Sequence, residues 1–226
     1  MTILFKARTS DSPYVDTVMR GWTVADGPAI RPAETHWYMV IVRHSGGVQA
    51  LVVGPWSAAG VTSYLKDAEL LWVRFPLGTF MPHLPVRRIL NLETTLPNGA
   101  WRTFWLDGIS WQYPDYDNVE TFVDRLVRED VLVHDPVISS ALDDRPQDIS
   151  PRTLRDHFLR ATGLSQNHIR QAIRAERAAG LLAQGVPILD VTYTLGYFDQ
   201  PHLTRAMKRF VGMTPAQQLA LASQST

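Results

Sequence analysis

The chain has 226 residues, 22 basic against 22 acidic side chains, seven tryptophans and no cysteine. The missing thiol excludes a cysteine nucleophile, a cysteine-ligated zinc and any disulfide, and the balanced charge does not by itself point to a nucleic-acid partner. No apolar run approaches the roughly 20 residues that cross a bilayer, and the start, MTILFKARTSDSP, lacks a hydrophobic signal core, so a cytoplasmic protein without a membrane segment is expected.

Residues 36–53 read HWYMVIVRHSGGVQALVV, two β-rich runs around Ser45, Gly46 and Gly47, which predicts a hairpin. A short helix is expected near 61–66 and further strands at 70–75, 88–92 and 101–106, with prolines and glycines between them. This half therefore reads as a small barrel or sandwich. Trp22, Trp37, Trp56, Trp72, Trp101, Trp105 and Trp111 all lie in it. Large aromatic side chains line small-molecule pockets and equally fill ordinary cores. Residues 71–83, LWVRFPLGTFMPH, are the expected pocket edge, which makes Trp37, Trp72, Arg74 and His83 the candidate effector-binding residues. The histidines at 36, 44, 83 and 134 include no His-x-His pair followed by a glutamate, so neither a metal site nor a cofactor is expected. A Gly-x-Ser-x-Gly elbow and a glycine-rich phosphate loop are both missing, and Asp115 and Asp117 read as turn and cap residues; no enzyme is expected.

From residue 117 onward tryptophan is absent and the sequence reads as nearly continuous helix. That shift puts a boundary near Tyr113, Pro114 and Asp115 and divides the chain into residues 1–116 and 117–226. Charge divides with it: residues 150–226 hold nine Lys and Arg against four Asp and Glu, and residues 1–149 hold thirteen against eighteen. Seven helices are expected. Asp117 with Glu120 has capping-box spacing for the first, Asp135-Pro136 opens the second and Ser150-Pro151 the third. A long helix over residues 166–184 follows, then one opened by Pro187, one capped by Asp199, and a last one at which Thr214 and Gln217 have capping-box spacing. Residues 223–226 form a short polar tail.

Residues 187–215 carry the most specific signal. Ile188, Val191 and Leu195 recur at helical spacing, as do Leu203, Met207 and Phe210, and Gly196 between them suits a left-handed turn. The outer face of the second helix then presents Gln200, His202, Thr204, Arg205, Lys208 and Arg209, groups able to bond base edges and phosphates. The N-terminal turns of such a helix enter the groove, so Gln200, Thr204 and Arg205 are expected to read bases and Lys208 and Arg209 to meet phosphate.

Residue for residue this resembles the second helix-turn-helix of the AraC/XylS family of transcription regulators. Gly212, Thr214 and Pro215 reproduce the family's Gly-x-Thr-Pro ending; residues 150–158, SPRTLRDHF, with Thr162-Gly163 resemble its first recognition helix, and Arg174-Ala175 with Ala178, Leu181 and Leu182 its linking helix. The resemblance covers roughly residues 118–221. It implies an α+β protein: a β-rich, cupin-like amino-terminal domain for sensing or dimerisation, then an all-α domain with two helix-turn-helix units joined by a long helix. It implies double-stranded DNA as partner, a small-molecule effector, and RNA polymerase and a second copy as further partners, and it adds Arg152 and Arg155 to the DNA-binding candidates. Departures fall at Thr192, where alanine is usual, at Leu203 and Met207, where aromatics are expected, and at Gln218 in place of tyrosine. In the first unit, Asp143, Asp144 and Asp148 replace a glycine-containing turn and Asp156 stands where a basic residue is common. The alternatives are a cupin-like metal enzyme and a protein-interaction module whose helical half does not bind DNA.

Overall fold

The computed structural model describes residues 3–64 and 66–224. Residues 225 and 226 of the polar tail, and residue 65 within the helix expected at 61–66, lie outside the described residues. The first half contains strands β1 (Ile3–Thr9), β2 (Thr17–Thr23), β3 (Gly27–Arg31), β4 (Tyr38–His44), β5 (Gly47–Val53), β6 (Gly60–Tyr64), β7 (Glu69–Arg74), β8 (Thr79–Phe80), β9 (Glu93–Thr95), β10 (Thr103–Leu106) and β11 (Ile109–Gln112), with a one-turn helix α1 (Val86–Ile89) before β9. The second half contains α2 (Val119–Arg128), a short β12 (Val133–His134), α3 (Pro136–Leu142), α4 (Pro151–Thr162), α5 (Gln166–Ala183), α6 (Ile188–Thr194), α7 (Gln200–Phe210) and α8 (Pro215–Gln224). The fold is α+β, strand-rich first and helical after.

Backbone contacts gather these elements into two compact units. One groups the described residues of Met1–Ala29, His36–Pro55 and Ser63–Ser165; the other groups Ile30–Thr35, Trp56–Thr62 and the described part of Gln166–Thr226.

The first unit is built on an antiparallel sheet of order β1-β2-β7-β4-β5-β9. Val18, Val73, Met39 and Val52 stand in register across its four middle strands, and all are fully buried. Two residues along, Leu71, Ile41 and Ala50 continue the same face, because side chains on a strand alternate. Burying each of the larger of these side chains contributes about 1.5 to 3 kcal/mol. Phe104, Trp111 and Phe122 form an aromatic cluster from β10, β11 and α2, with centroids 5.9 to 6.2 Å apart. The hairpin expected at 36–53 is β4 and β5, turning at Ser45-Gly46.

Three local expectations are corrected. The helix expected near 61–66 is strand β6, which pairs with β3 and so satisfies its backbone across the chain rather than within it. The strand expected at 88–92 is the end of α1 and the turn after it; Val86 and Ile89, three apart, bury one helical face, and the strand begins only at Glu93. Finally, Asp117 does not cap α2. Its N-cap is Asn118, without a side-chain cap bond, and Asp115 Oδ1 accepts the amides of Asp117 and Asn118.

Glu120 is drawn away from a capping box because Arg8 Nη1 and Nη2 donate to its two oxygens at 2.5 and 2.9 Å, and Ser10 donates at 2.7 Å. The Arg8 guanidinium holds the Glu120 carboxyl down at about 2, from 4.5, with Ser10 assisting against the cost of burial. A depressed carboxyl contributes stability that is present above about pH 4.5 and is lost as the pH falls from there towards 2. Glu120→Gln is expected to remove that acid-side loss and to lower stability at pH 7 by about 1 kcal/mol, the pair being partly solvated. Urea unfolding at pH 7 and pH 3 checks both signs.

The second unit packs around α5. Ala172, Ala175, Ala178 and Leu182 on that helix meet Val191, Tyr197, Leu203, Met207, Phe210 and Val211 in one buried core. The small side chains of α5 let the two shorter helices approach closely. Residues 30–35 and 56–62 also belong to this unit. They are tied to each other by paired backbone bonds between Glu34 and Trp56, at 2.9 and 2.7 Å.

Candidate nucleic-acid interface

Local chemistry builds the second helix-turn-helix. After α6 the chain turns at Gly196, φ +67°, and the Tyr197 amide reaches back to the Thr192 carbonyl at 2.9 Å, closing the helix in a Schellman pattern. A Cβ at Gly196 would meet nothing within 4 Å, so backbone angle alone selects glycine there. Asp199 Oδ1 accepts the His202 amide at 2.6 Å and opens α7, with Pro201 in its first turn. At the far end, Thr214 and Gln217 cap α8 reciprocally: the Thr214 amide donates to Gln217 Oε1 at 2.8 Å and the Gln217 amide to Thr214 Oγ1 at 3.2 Å.

The departures from the family pattern are absorbed by packing. Thr192 is buried, and its hydroxyl is satisfied by the Ile188 carbonyl at 2.7 Å. Leu203 and Met207 are both fully buried in the core of the unit.

On the other face of α7, Gln200, Arg205, Lys208 and Arg209 are exposed and Thr204 is half-buried. Among the described residues Arg205 and Lys208 have no ion pair, so both charges face solvent. His202 also makes local contacts. Its ring meets Tyr197 edge-on at 5.3 Å, and its Nδ1 accepts the Phe198 amide at 3.4 Å, which braces the turn. Tyr197 is itself gripped by Arg174 of α5, whose guanidinium lies 4.5 Å from the ring centroid, and burial pushes the Tyr197 hydroxyl up from its ordinary value.

The helices expected as the first helix-turn-helix, α3 and α4, lie in the first unit. Asp135 Oδ1 accepts the Val137 amide and caps α3, while Ser150 accepts the Thr153 amide and caps α4. Asp135 also receives His157 Nδ1 at 2.6 Å and Arg160 at 2.8 Å, both from α4, through Oδ2. Burial opposes the charge on Asp135, but these donors outweigh it and hold the carboxyl below its usual range. α4 closes at Gly163, φ +68°, where a Cβ would lie 3.3 Å from the α1 backbone at Val86 and Arg87. Arg152, Arg155 and Asp156 are exposed on its outer side, and neither arginine has an ion pair among the described residues. The loop before α4 keeps Asp143 paired with Arg145 at 3.1 Å.

The four effector candidates do not converge. Trp37 is buried, stacked 4.0 Å from Phe75, and its indole donates to the Thr79 carbonyl. Arg74 is held by Asp16, and His83 lies beside Asp107 at 3.4 Å. A cavity of about 580 Å³ opens instead over the other side of β7, lined by Arg20, Arg43, Glu69, Leu71, Tyr113 and Tyr116 among others. Strand alternation explains the difference: Glu69 and Leu71 face the cavity, so Trp72 and Arg74 face away. Within it Arg20 is neutralised by Glu69 at 2.6 Å, Arg43 donates to the Pro114 carbonyl at 2.7 Å, and the buried Tyr116 hydroxyl has no hydrogen-bond partner among the described residues. Among the described residues no group of three or more His, Asp or Glu stands where it could hold a metal ion, and no helix is long and apolar enough to cross a membrane.

Two helices meeting at a glycine turn, the second capped and cationic on its outer face, define a helix-turn-helix, and residues 147–220 match the family described as a helix-turn-helix domain. Together with the relatives below, this makes the carboxy-terminal part of the chain a helix-turn-helix segment of the AraC/XylS type. The chain is 39% identical over 88 residues to the HTH-type transcriptional regulator RipA of Corynebacterium glutamicum, a match covering 38% of this chain and 27% of that protein. It is 41% identical over 68 residues to RipA of Corynebacterium diphtheriae, covering 30% and 20%, and 38% identical over 79 residues to the HTH-type transcriptional regulator VirS of Mycobacterium tuberculosis, covering 34% and 23%. The matches span about a quarter of the length of these curated relatives. No solved structure matches the chain.

Proposed function

We propose that this protein is a sequence-specific DNA-binding transcription regulator without a catalytic activity, working in the cytoplasm. The observation that carries the reading is the outer face of α7, where Gln200, Thr204 and Arg205 precede Lys208 and Arg209 on a helix whose opposite side is locked into a core. Gln200, Thr204 and Arg205 read base edges, Lys208 and Arg209 bind phosphate, and Arg152 and Arg155 of α4 supply the contacts of the first unit. Residues 1–116 sense or dimerise and residues 117–226 bind DNA. A small effector controls the protein by binding two states of it unequally, which is the only way a ligand shifts an equilibrium. The cavity beside Arg43 and Tyr116 has the size for such a molecule.

Selection of bound duplexes from a random library at near-physiological salt tests the reading. An enriched motif with two half-elements about one helical turn apart is the expected result, and one half-element would limit base reading to α7. Binding that merely fades with salt, without enrichment, would overturn the assignment of a sequence-reading regulator.

A second reading rests on Leu189, Tyr193 and Phe198, which expose large apolar surface on α6 and its turn, Phe198 to 89%. Such surface suits contact with another protein, RNA polymerase or a second copy among the choices. Loss of partner capture in Tyr193→Ala with DNA selection intact would separate the two surfaces.

A further inference from the structure

Helix α7 ends with carbonyls that its own turns cannot satisfy, as every helix does. Met207 O accepts the amides of Val211 and Gly212 at 2.7 and 3.0 Å. The next donors come from far away in the sequence. Ala59 N donates to Arg209 O at 2.7 Å, and Ala33 N donates to Phe210 O, also at 2.7 Å. Ala33 in addition packs against the buried core that holds Leu203, Met207 and Phe210.

The residues that carry these two amides are themselves braced. Glu34 and Trp56 pair through their backbones, and the Arg31 guanidinium lies 3.3 Å from the Trp56 ring centroid. His168 of α5 shares a hydrogen bond with the backbone at Ser57 and meets Phe210 edge-on at 5.3 Å. Gly212 is pressed from the same side: a Cβ there would lie 2.7 Å from Ile30 Cγ2 and 3.2 Å from Ala59 Cβ, at φ +86°. Glycine at 212 thus serves both the turn after α7 and the close approach of residues 30 and 59.

We infer that residues 30–35 and 56–62 are a positioning part of the DNA-reading unit, holding the last turn of α7 through the amides of Ala33 and Ala59. The inference rests on the proposed reading of α7 as the recognition helix. Lys208 and Arg209, the phosphate-binding pair, lie on the turn that is held. Fixing that turn sets the angle at which the N-terminal turns of α7 enter the groove. The segment 147–220, although it contains both helices of the motif, lacks both donors and is therefore incomplete as a sequence reader.

Proline has no amide hydrogen, so Ala33→Pro and Ala59→Pro in the full chain delete each bond with little change in side-chain size. Ala33→Ser and Ala59→Ser keep the donor and serve as controls. Amide hydrogen exchange at residues 207–212 is expected to quicken about fivefold for each proline variant, with the centre of α5 unchanged. Affinity for the duplex selected by the unaltered protein is expected to fall about tenfold, while binding to random duplex stays as it was. Should a proline variant fail to fold, Trp56→Ala loosens the same segment without touching α7, and the same quickening is expected. Unchanged exchange at 207–212 in the folded variants would overturn the holding role. Faster exchange with undiminished affinity for the selected duplex would overturn the positioning role. If the unaltered protein selects no sequence, the proposed function fails, and the positioning role falls with it whatever the exchange at residues 207–212 reports.

Discussion

Arg205→Ala is expected to reduce affinity for the selected duplex by about 1 to 3 kcal/mol and to relax the preference at one base position, guanine being the base that an arginine fork bonds at two points. The side chain is exposed on α7 and has no ion pair among the described residues, so little stability should be lost; a change within about 0.5 kcal/mol is expected from thermal unfolding. This separation of affinity from stability distinguishes a reading residue from a structural one. Lys208→Ala provides the contrast. It should weaken binding to all sequences alike and reduce the salt slope by about one counterion, because a phosphate contact carries no sequence information. If both variants lower affinity for every sequence equally, Arg205 is a phosphate contact and base reading by α7 rests on Gln200 and Thr204.

What the sequence made legible was local. The caps at Asp135, Ser150 and Asp199, the reciprocal pair Thr214 and Gln217, and the turn at Gly196 each join residues no more than five positions apart, and each is in the structure. The seven helices among the described residues after 117 follow because helical spacing runs through that stretch and side-chain caps mark the starts of α3, α4, α7 and α8. Strand β1 was not legible. Four successive residues of it, from Leu4 to Ala7, are exposed, so it has no alternation to read. Residues 61–66 failed for a related reason: the partner that makes them a strand is β3, more than twenty residues away, and nothing within six residues announces it. His202 looked like one more polar group on an outer face, yet its ring braces the turn against Tyr197. Ala33 and Ala59 carry no signal at all, since what they contribute is a backbone amide at the end of a helix 177 and 150 residues further along.

Gly54→Ala is expected to have the largest effect on stability, and it bears on the first helix-turn-helix. A Cβ at Gly54 would overlap the Ile89 carbonyl oxygen and stand 2.5 Å from its carbon, both backbone atoms of the α1 turn. Neither can rotate away as a side chain would. The Gly54 amide is also bonded to the Leu92 carbonyl at 3.0 Å and Asn91 N to the Pro55 carbonyl at 2.8 Å, so the two segments cannot part without breaking those bonds. Overpacking against backbone should cost about 3 kcal/mol. The displacement does not stop at α1. That turn is the surface on which α4 closes, with Val86 and Arg87 against Gly163, so α4 should lose protection in hydrogen exchange together with α1. Gly180→Ala is the opposing control: nothing lies within 4 Å of its Cβ position in the last turn of α5, and alanine there should stabilise by about 0.5 kcal/mol through helix propensity alone. Opposite signs for the same chemical change would show that the strain comes from what meets the methyl group, and that the platform under α4 runs through a single glycine at the end of β5.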